Sequence, residues 1–186
     1  MVGDKILELG IGLESANDHV RNNIINKDLS KKNFERAVRT VKNANCDLLV
    51  YLLIKPPLLS EEQAINDAID SAKYVFDIAN KYSVNVRVAY EPVFVCKNTP
   101  LEKLFLNGGY SLVRLWSVIE VVKSTYHLGS VFVGLSDENL SFDRMPGSCK
   151  KCYKMLVKEI ERFNKTQDAS VLDSLDCECR HVSIAT

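Results

Sequence analysis

Four cysteines near the carboxyl end of the sequence have the spacing of a metal site. Cys149 and Cys152 are separated by two residues, and Cys177 and Cys179 by one. Four thiolates can complete a tetrahedral structural zinc site, and the first pair has the usual knuckle spacing. The second pair is tighter than the common pattern, so His181 is a substitute ligand. The spacing predicts zinc, with an iron–sulfur cluster or unligated thiols as the alternatives.

Polar residues also follow the predicted strands, and parallel β/α proteins carry their functional groups at the carboxyl ends of strands. This rule selects Glu14 and Ser15, Lys55, Glu91, and Ser136 or Asp137, with Arg21 close to the first pair. We expect them to form a ligand-binding mouth, where the planar fork of Arg21 suits a carboxylate or a phosphate. Alternatively, they cap helices or line a wet rim, and Arg21 pairs with Asp18 or Glu14.

A basic helix face is the third candidate. Residues 21–42 carry seven basic side chains against two acidic ones. Lys32, Arg36 and Arg39 fall on one face of the predicted helix, opposite its apolar stripe. Such a face could follow an RNA backbone, and an ordinary solvated helix surface is the alternative.

Alternating apolar runs and amphipathic segments must position these residues. Strands are predicted at 5–15, 46–55, 84–95 and 130–136, because each is a short apolar or alternating run. Helices are predicted at 31–45, from the capping box of Ser60 and Gln63 onward, near 111–126, and between the two cysteine pairs. Residues near Thr99 and Pro100 are expected to form a loop. This order predicts an α/β protein with parallel strands, forming an open sheet, a partial barrel or part of a larger assembly.

Composition narrows the classes of function. The chain has 186 residues, 46% of them apolar, with 24 basic and 24 acidic side chains. It can therefore bury one sizeable core, and no global charge indicates a polyanionic partner. We expect a cytoplasmic protein, because no segment resembles a membrane span or a signal peptide. The common phosphate-loop, dinucleotide, zinc-protease and esterase motifs do not occur. Cys46 and Cys96 are predicted to be small core residues.

Several segments resemble radical S-adenosylmethionine (SAM) enzymes. "ELGIGLESANDHVRNNIINKDLSKKNFERAV" resembles the fourth strand and following helix of the branch that includes the Elongator catalytic subunit and coproporphyrinogen oxidases. "YLLIKPPLLSEEQAIND", "RVAYEPVFVCKNTPLEKLF" and "LVRLWSVIEVVK" are similar to the radical SAM subunits of archaeosine synthases, the RaSEA family. The tail "PGSCKKCYKML" with "CEC" is similar to the carboxyl-terminal cysteine module of that family.

This resemblance implies a fold and an activity. Residues 1–140 would be the second half of a partial (β/α)6 barrel, and residues 141–186 a helical four-cysteine module. In the family, a [4Fe–4S] cluster and SAM generate a radical for a lyase-type step of tRNA modification. By position, Glu14, Ser15 and Arg21 would contact SAM, and Lys55 and Glu91 would face cofactor or substrate.

The sequence departs from the family at its central motif. The cluster is held by CxxxCxxC, and no three cysteines here have that spacing. We therefore expect the carboxyl-terminal part of a split or truncated enzyme, inactive without a cluster-bearing amino-terminal half. Its other partners would be tRNA and a tRNA-guanine transglycosylase-like subunit, with no membrane. Alternatives are another radical SAM tRNA modifier, or a non-catalytic zinc-bearing scaffold or RNA-binding subunit with a degenerate half-barrel.

Overall fold

A computed structural model describes residues 6–135 and 140–180, and Ser136, Asp137 and His181 lie outside these ranges. Four strands form one parallel sheet in the order β1-β2-β3-β4, which are Glu8–Glu14, Asp47–Ile54, Val86–Pro92 and Ser130–Val133. The helices are α1 Lys31–Asn43, α2 Glu61–Tyr82, α3 Pro100–Leu106, α4 Leu115–Thr125 and α5 Tyr153–Thr166. The predicted α/β class with parallel strands is confirmed.

Local signals in the sequence explain the helix boundaries. Ser30 caps α1 by accepting a hydrogen bond from the amide of Asn33. Ser60 and Gln63 form the predicted capping box of α2, whose first turn carries two glutamates. The prediction of a loop near Thr99 was wrong, because Thr99 caps α3 and Pro100 occupies its first turn. A turn of π-helix at Val20–Ile24 was not predicted either.

The main core lies between the sheet and its helices. On β2, Leu48, Val50, Leu52 and Ile54 are fully buried and face α1 and α2. The alternate side chains point to the opposite face, where Tyr51 is 36% exposed. The exposure of Tyr51 shows that the described residues cover this second face only partly. Parallel sheets are normally covered on both faces.

Helix α5 extends the same core around the β4 edge. Leu156, Ile160 and Phe163 are buried and belong to the cluster of apolar side chains that includes the sheet. Asn164 and Gln167 hydrogen-bond to the backbone of β4. The boundary at residue 140 between barrel half and cysteine module stays a prediction. No helix in the described ranges is long and apolar enough to cross a membrane.

Candidate functional site

Two carboxylates lie at the carboxyl edge of the sheet. Glu14 ends β1 in a left-handed conformation, with φ of 66°, and its Oε1 accepts a hydrogen bond from Lys27 Nζ at 2.8 Å. A Cβ atom on Gly12 would stand 2.3 Å from that oxygen. Glycine at position 12 therefore lets the Glu14 carboxylate fold back over the strand.

Glu91, near the end of β3, is arranged in a similar way. Its Oε2 would stand 2.2 Å from a Cβ atom on Gly134, so the carboxylate packs against the backbone that follows β4. Burial raises the pKa of Glu91, and the negative charge of Glu14 raises it further. No described group donates a hydrogen bond to Glu91. We call Glu14 and Glu91 with their glycines the strand-end mouth.

A small cavity adjoins the strand-end mouth. It has a volume of about 70 Å³ and is lined by Glu91, Gly134 and apolar side chains that include Phe94, Met145 and Tyr153. The half-buried carboxylate of Glu91 thus has an apolar wall and lies within electrostatic reach of Glu14. Such surroundings favour a ligand that offers a cation or hydrogen-bond donors.

Ser15 lies behind the mouth rather than in it. The residue is 0% exposed, and its Oγ donates to Asp67 Oδ1 of α2 at 2.8 Å. The next amide, of Ala16, donates to Ser71 Oγ at 2.7 Å. Burial raises the pKa of Asp67, and the hydrogen bond from Ser15 opposes that rise. These α2 residues fix the turn after Glu14, and their contribution was missed in the sequence because they lie more than fifty positions away.

Arg21 is also 0% exposed. Its guanidinium donates to the carbonyl of Ser15 at 2.9 Å, to the carbonyl of Leu29 at 2.5 Å, and to Asp18. Each of its three nitrogens is therefore bonded to the chain itself. This geometry agrees with the alternative in which Arg21 is structural, and direct contact with a ligand stays a prediction.

Lys55 is likewise committed to protein partners. It follows β2 with φ of 62° and is 4% exposed. Its Nζ lies 2.5 Å from Glu61 Oε2 and 2.9 Å from Ser111 Oγ, and its carbonyl accepts from Tyr110. These bonds tie the end of β2 to the start of α2 and to the segment before α4. Its predicted place in the mouth remains untested.

The predicted basic face of α1 is solvent-exposed. Lys32, Arg36 and Arg39 are all exposed, while Phe34, Val38 and Val41 on the opposite side are buried. Arg39 lies over the Tyr82 ring at 5.8 Å. We call Lys32, Arg36 and Arg39 the α1 basic face.

The four cysteines converge as the spacing predicted. The Sγ atoms of Cys149, Cys152, Cys177 and Cys179 all lie within 4.8 Å of one another. Cys149 Sγ is 3.5 Å from Cys152 and 3.6 Å from Cys177, and Cys152 is 3.5 Å from Cys179. Four sulfurs bound to one zinc ion at about 2.3 Å stand about 3.8 Å apart. This four-cysteine cluster can therefore hold a metal ion, and its spacing suits a single one.

Neighbouring groups shape the four-cysteine cluster. Trp116 Nε1 of α4 donates to Cys179 Sγ at 3.3 Å, and Ser148 Oγ lies 2.9 Å from Cys152 Sγ. Burial alone would raise the pKa of Cys179, but hydrogen bonds from Trp116 and Ser148 help to lower it to about 6. The neighbouring Cys152 differs, because burial raises its pKa to about 12. A thiolate at neutral pH is the form that binds metals.

The described residues do not fit a radical-generating [4Fe–4S] cluster. Each cysteine of such a cluster binds a different iron atom, so the sulfurs must stand wider apart than those that share one ion. The remaining cysteines, Cys46 and Cys96, lie next to different strands. They therefore do not form the set of three cysteine ligands that such a cluster requires. We assign no step of a reaction to such a cluster on this chain.

Comparison with solved structures defines the class of fold. The chain aligns with archaeal Elp3 of Methanocaldococcus infernus, solved with an amino-terminal deletion, at a TM-score of 0.60 and 16% identity. The alignment covers 84% of this chain and 36% of the Elp3 chain. The likeness shows that the parallel β/α arrangement is shared with part of Elp3.

Sequence relatives are more specific. The chain is 32% identical over 180 residues to archaeosine synthase subunit beta of Methanosarcina acetivorans, and 32% over 185 residues to the protein of that name in Thermococcus kodakarensis. An uncharacterised protein of Methanocaldococcus jannaschii is 32% identical over 182 residues. The matches cover 96 to 97% of this chain but 48 to 54% of the relatives, so the chain spans about half their length. No family model matches the sequence.

Proposed function

We propose that the chain is the carboxyl-terminal part of a radical SAM enzyme that modifies tRNA, with a lyase-type reaction of the archaeosine synthase kind. The supporting observation is 32% identity along nearly the whole chain to two proteins named archaeosine synthase subunit beta. The parallel sheet with a carboxylate-bearing mouth at its carboxyl edge is compatible with that role.

The chain would supply binding groups rather than the radical. Glu14 and Glu91 would contact SAM or substrate, because their carboxylates are the strand-end groups that keep free acceptor oxygens. Ser15, Arg21 and Lys55 would position the strand ends through their buried bonds. When bound, SAM and the cluster would supply hydrogen abstraction, and the cluster's ligands would come from the cluster-bearing amino-terminal half, in the same polypeptide or in a separate one.

A second half is also supported by the surface of the sheet. On the side away from β2, β1 has no strand partner among the described residues. Ile6, Leu7 and Leu9 at this edge are 67%, 60% and 38% exposed. An exposed apolar edge is a site for strand addition or aggregation. We propose that the cluster-bearing half pairs with β1 and covers the second face of the sheet.

The four-cysteine cluster would hold zinc as a structural ion. Its sulfurs come from both ends of the segment that contains α5, so one ion would fasten the last described residues, near Arg180, to the start of α5. Structural zinc contributes directly to folding. The ion would thereby stabilise the packing of α5 on β4.

The first experiment reconstitutes the enzyme. The chain is co-expressed with the cluster-bearing half of a relative, and reductive cleavage of SAM to 5′-deoxyadenosine is measured under strong reductant. We expect cleavage only with both halves, and a marked loss in Glu14→Gln. The matched control is Glu161→Gln on the surface of α5. Absence of cleavage by the reconstituted pair, with its cluster shown by absorption spectroscopy, would contradict the proposal.

RNA contact is tested separately on the α1 basic face. Replacing Lys32, Arg36 and Arg39 by alanine should weaken tRNA binding. The slope of log K against log salt should fall by about 1 per residue replaced. Unchanged affinity and slope would remove this face from the proposal. A tRNA-guanine transglycosylase-like protein remains the proposed further partner, to be sought by co-purification.

A non-catalytic role is the second candidate, favoured by the missing CxxxCxxC motif and by the spacing of the four-cysteine cluster. A zinc-bearing scaffold or RNA-binding subunit should fold cooperatively and stay soluble alone. A severed half-barrel should aggregate or dimerise through the β1 edge. Sedimentation of the isolated chain distinguishes the two.

A further inference from the structure

Helix α5 carries a row of lysines that neither the strand-end mouth nor the four-cysteine cluster uses. Residues 150–165 include six basic side chains and two acidic ones. Lys154, Lys158 and Lys165 are exposed on one side, while Leu156, Ile160 and Phe163 are buried on the other. We call Lys154, Lys158 and Lys165 the α5 lysine row. At 1.5 Å per residue it extends for about 16 Å.

Local ion pairs do not neutralise this row. Among the described residues, Arg162 pairs with Glu159 and Lys151 with Glu178, but no carboxylate lies within ion-pair distance of the α5 lysine row. Glu161 lies on the same face by helical spacing and offsets one of the three charges. Elsewhere on the helix layer, exposed Lys73 and half-buried Lys123 each have an acidic partner.

Lys154 also opposes the helix dipole, whereas Lys165 lies in the last turn of α5, where the dipole favours a cation. The first turn of α5 contains no acidic residue and includes Lys154, whereas α2 begins with Glu61 and Glu62. Cations near a helix amino terminus are electrostatically disfavoured. One divalent ion with four thiolates would carry a charge of −2 and offset lysines beside Cys149 and Cys152. That charge would not reach Lys165, about 20 Å along the axis from Cys152.

We infer that the α5 lysine row binds the sugar–phosphate backbone of a folded RNA. The inference rests on the proposed function for the identity of the polyanion. A membrane surface fits less well, because interfacial helices need an apolar face to insert, and that of α5 is buried in the core. Flexible ammonium groups without an ion-pair partner among the described residues bind phosphates without reading sequence.

This surface is separate from the α1 basic face. Contacts between neighbouring helices run α1 to α2, α2 to α4, and α4 to α5. The two basic surfaces therefore lie at opposite ends of the helix layer. An RNA that engages both must extend across α2 and α4, as a structured RNA can and a short single strand cannot.

The test compares two variants that lose the same net charge. Lys154→Gln/Lys158→Gln removes two members of the row, and the control Lys73→Gln/Lys123→Gln removes two paired lysines of α2 and α4. Glutamine keeps a high helix propensity. Binding of a full-length unmodified tRNA transcript is measured by fluorescence anisotropy between about 50 and 200 mM salt, on the zinc-loaded chain reconstituted with the cluster-bearing half.

We expect the row variant to lower the slope of log K against log salt by about 2, or about 1 per lysine, and the control to leave it unchanged. Equal changes in both variants would overturn the inference, since they would report net charge alone. No tRNA binding by the wild-type chain would overturn it too, and binding to polyglutamate instead would assign the row to an acidic protein. SAM cleavage by the reconstituted pair tests the proposed function independently of these results.

Discussion

Replacing Arg21 by methionine tests whether this buried cation is structural. Methionine keeps much of the apolar stem but removes the hydrogen bonds to the carbonyls of Ser15 and Leu29. A buried acceptor left without a donor costs about 1 to 3 kcal/mol, and the second carbonyl is only partly buried. Asp18 adds little, because its side chain is 70% exposed. We expect Arg21→Met to lower the free energy of unfolding by about 2 to 4 kcal/mol, a large share of the ~5 to 15 kcal/mol typical of a domain.

Urea unfolding, followed by far-UV circular dichroism and by the fluorescence of Trp116, gives that free energy. Trp116 is the single tryptophan and is 7% exposed. Asp18→Asn is the matched control and should cost less than about 1 kcal/mol. Arg21→Lys keeps the charge without the planar fork and should behave more like the methionine variant. A free energy of unfolding for Arg21→Met within about 1 kcal/mol of the wild-type value would refute the structural role of Arg21. The side chain would then be available to bind a ligand.

Three further predictions concern the cluster, the mouth and the end of β2. Cys149→Ser should reduce bound zinc, measured by elemental analysis, from one ion per chain to near zero, while Cys46→Ser should leave it unchanged. Glu91→Gln should stabilise the protein near pH 7: the folded-state pKa of Glu91 is raised, so its ionised form costs stability as pH rises through that pKa. Urea unfolding at pH 7 and pH 4 measures this gain in stability, which should vanish near pH 4. An equal gain at both pH values would contradict the prediction. Lys55→Met should cost about 1 to 3 kcal/mol in the same assay, because it leaves Glu61 and Ser111 without their buried donor. As a control, Lys27→Met removes the exposed ion pair with Glu14 and should lower the free energy of unfolding by less than about 1 kcal/mol. Equal losses in Lys55→Met and Lys27→Met would show that burial of Lys55 does not strengthen its bonds.

Residue periodicity predicted most of the elements, because it reflects local physics. The four strands and the helices α1, α2, α4 and α5 follow from apolar spacing and caps, with boundaries shifted by a few residues. The helix α3 was missed although Thr99, Pro100 and Glu102 carry the signature of a helix start. The π-helical turn has no comparable signature, because its hydrogen bond from the Ile25 amide to the Val20 carbonyl is not marked by a residue type.

Candidate site residues were predicted from the rule that functional groups lie at the carboxyl ends of parallel strands. This rule does not say whether a side chain at a strand end points into the mouth or towards a helix. Glu14 and Glu91 point to the mouth, while Ser15 turns to α2 and Lys55 to Glu61. Gly12 carried a signal that could have been used, since a glycine two residues before a strand-end carboxylate allows the close approach of Glu14. Gly134 carried none, because Glu91 reaches it from the neighbouring strand.

Residue patterns alone predicted the alternation of strands and helices, the caps of α1 and α2, the basic face of α1 and the four cysteines. These features depend on neighbours within a few positions, where propensity and periodicity act. Three features emerge only from the packed structure: Asp67 and Ser71 hold the turn after Glu14, Arg21 is fully buried, and Cys149 lies 3.6 Å from Cys177. The contacts of Asp67, Ser71 and Cys177 join residues far apart in the chain. Like the burial of Arg21, they exist only once the helices have packed on the sheet.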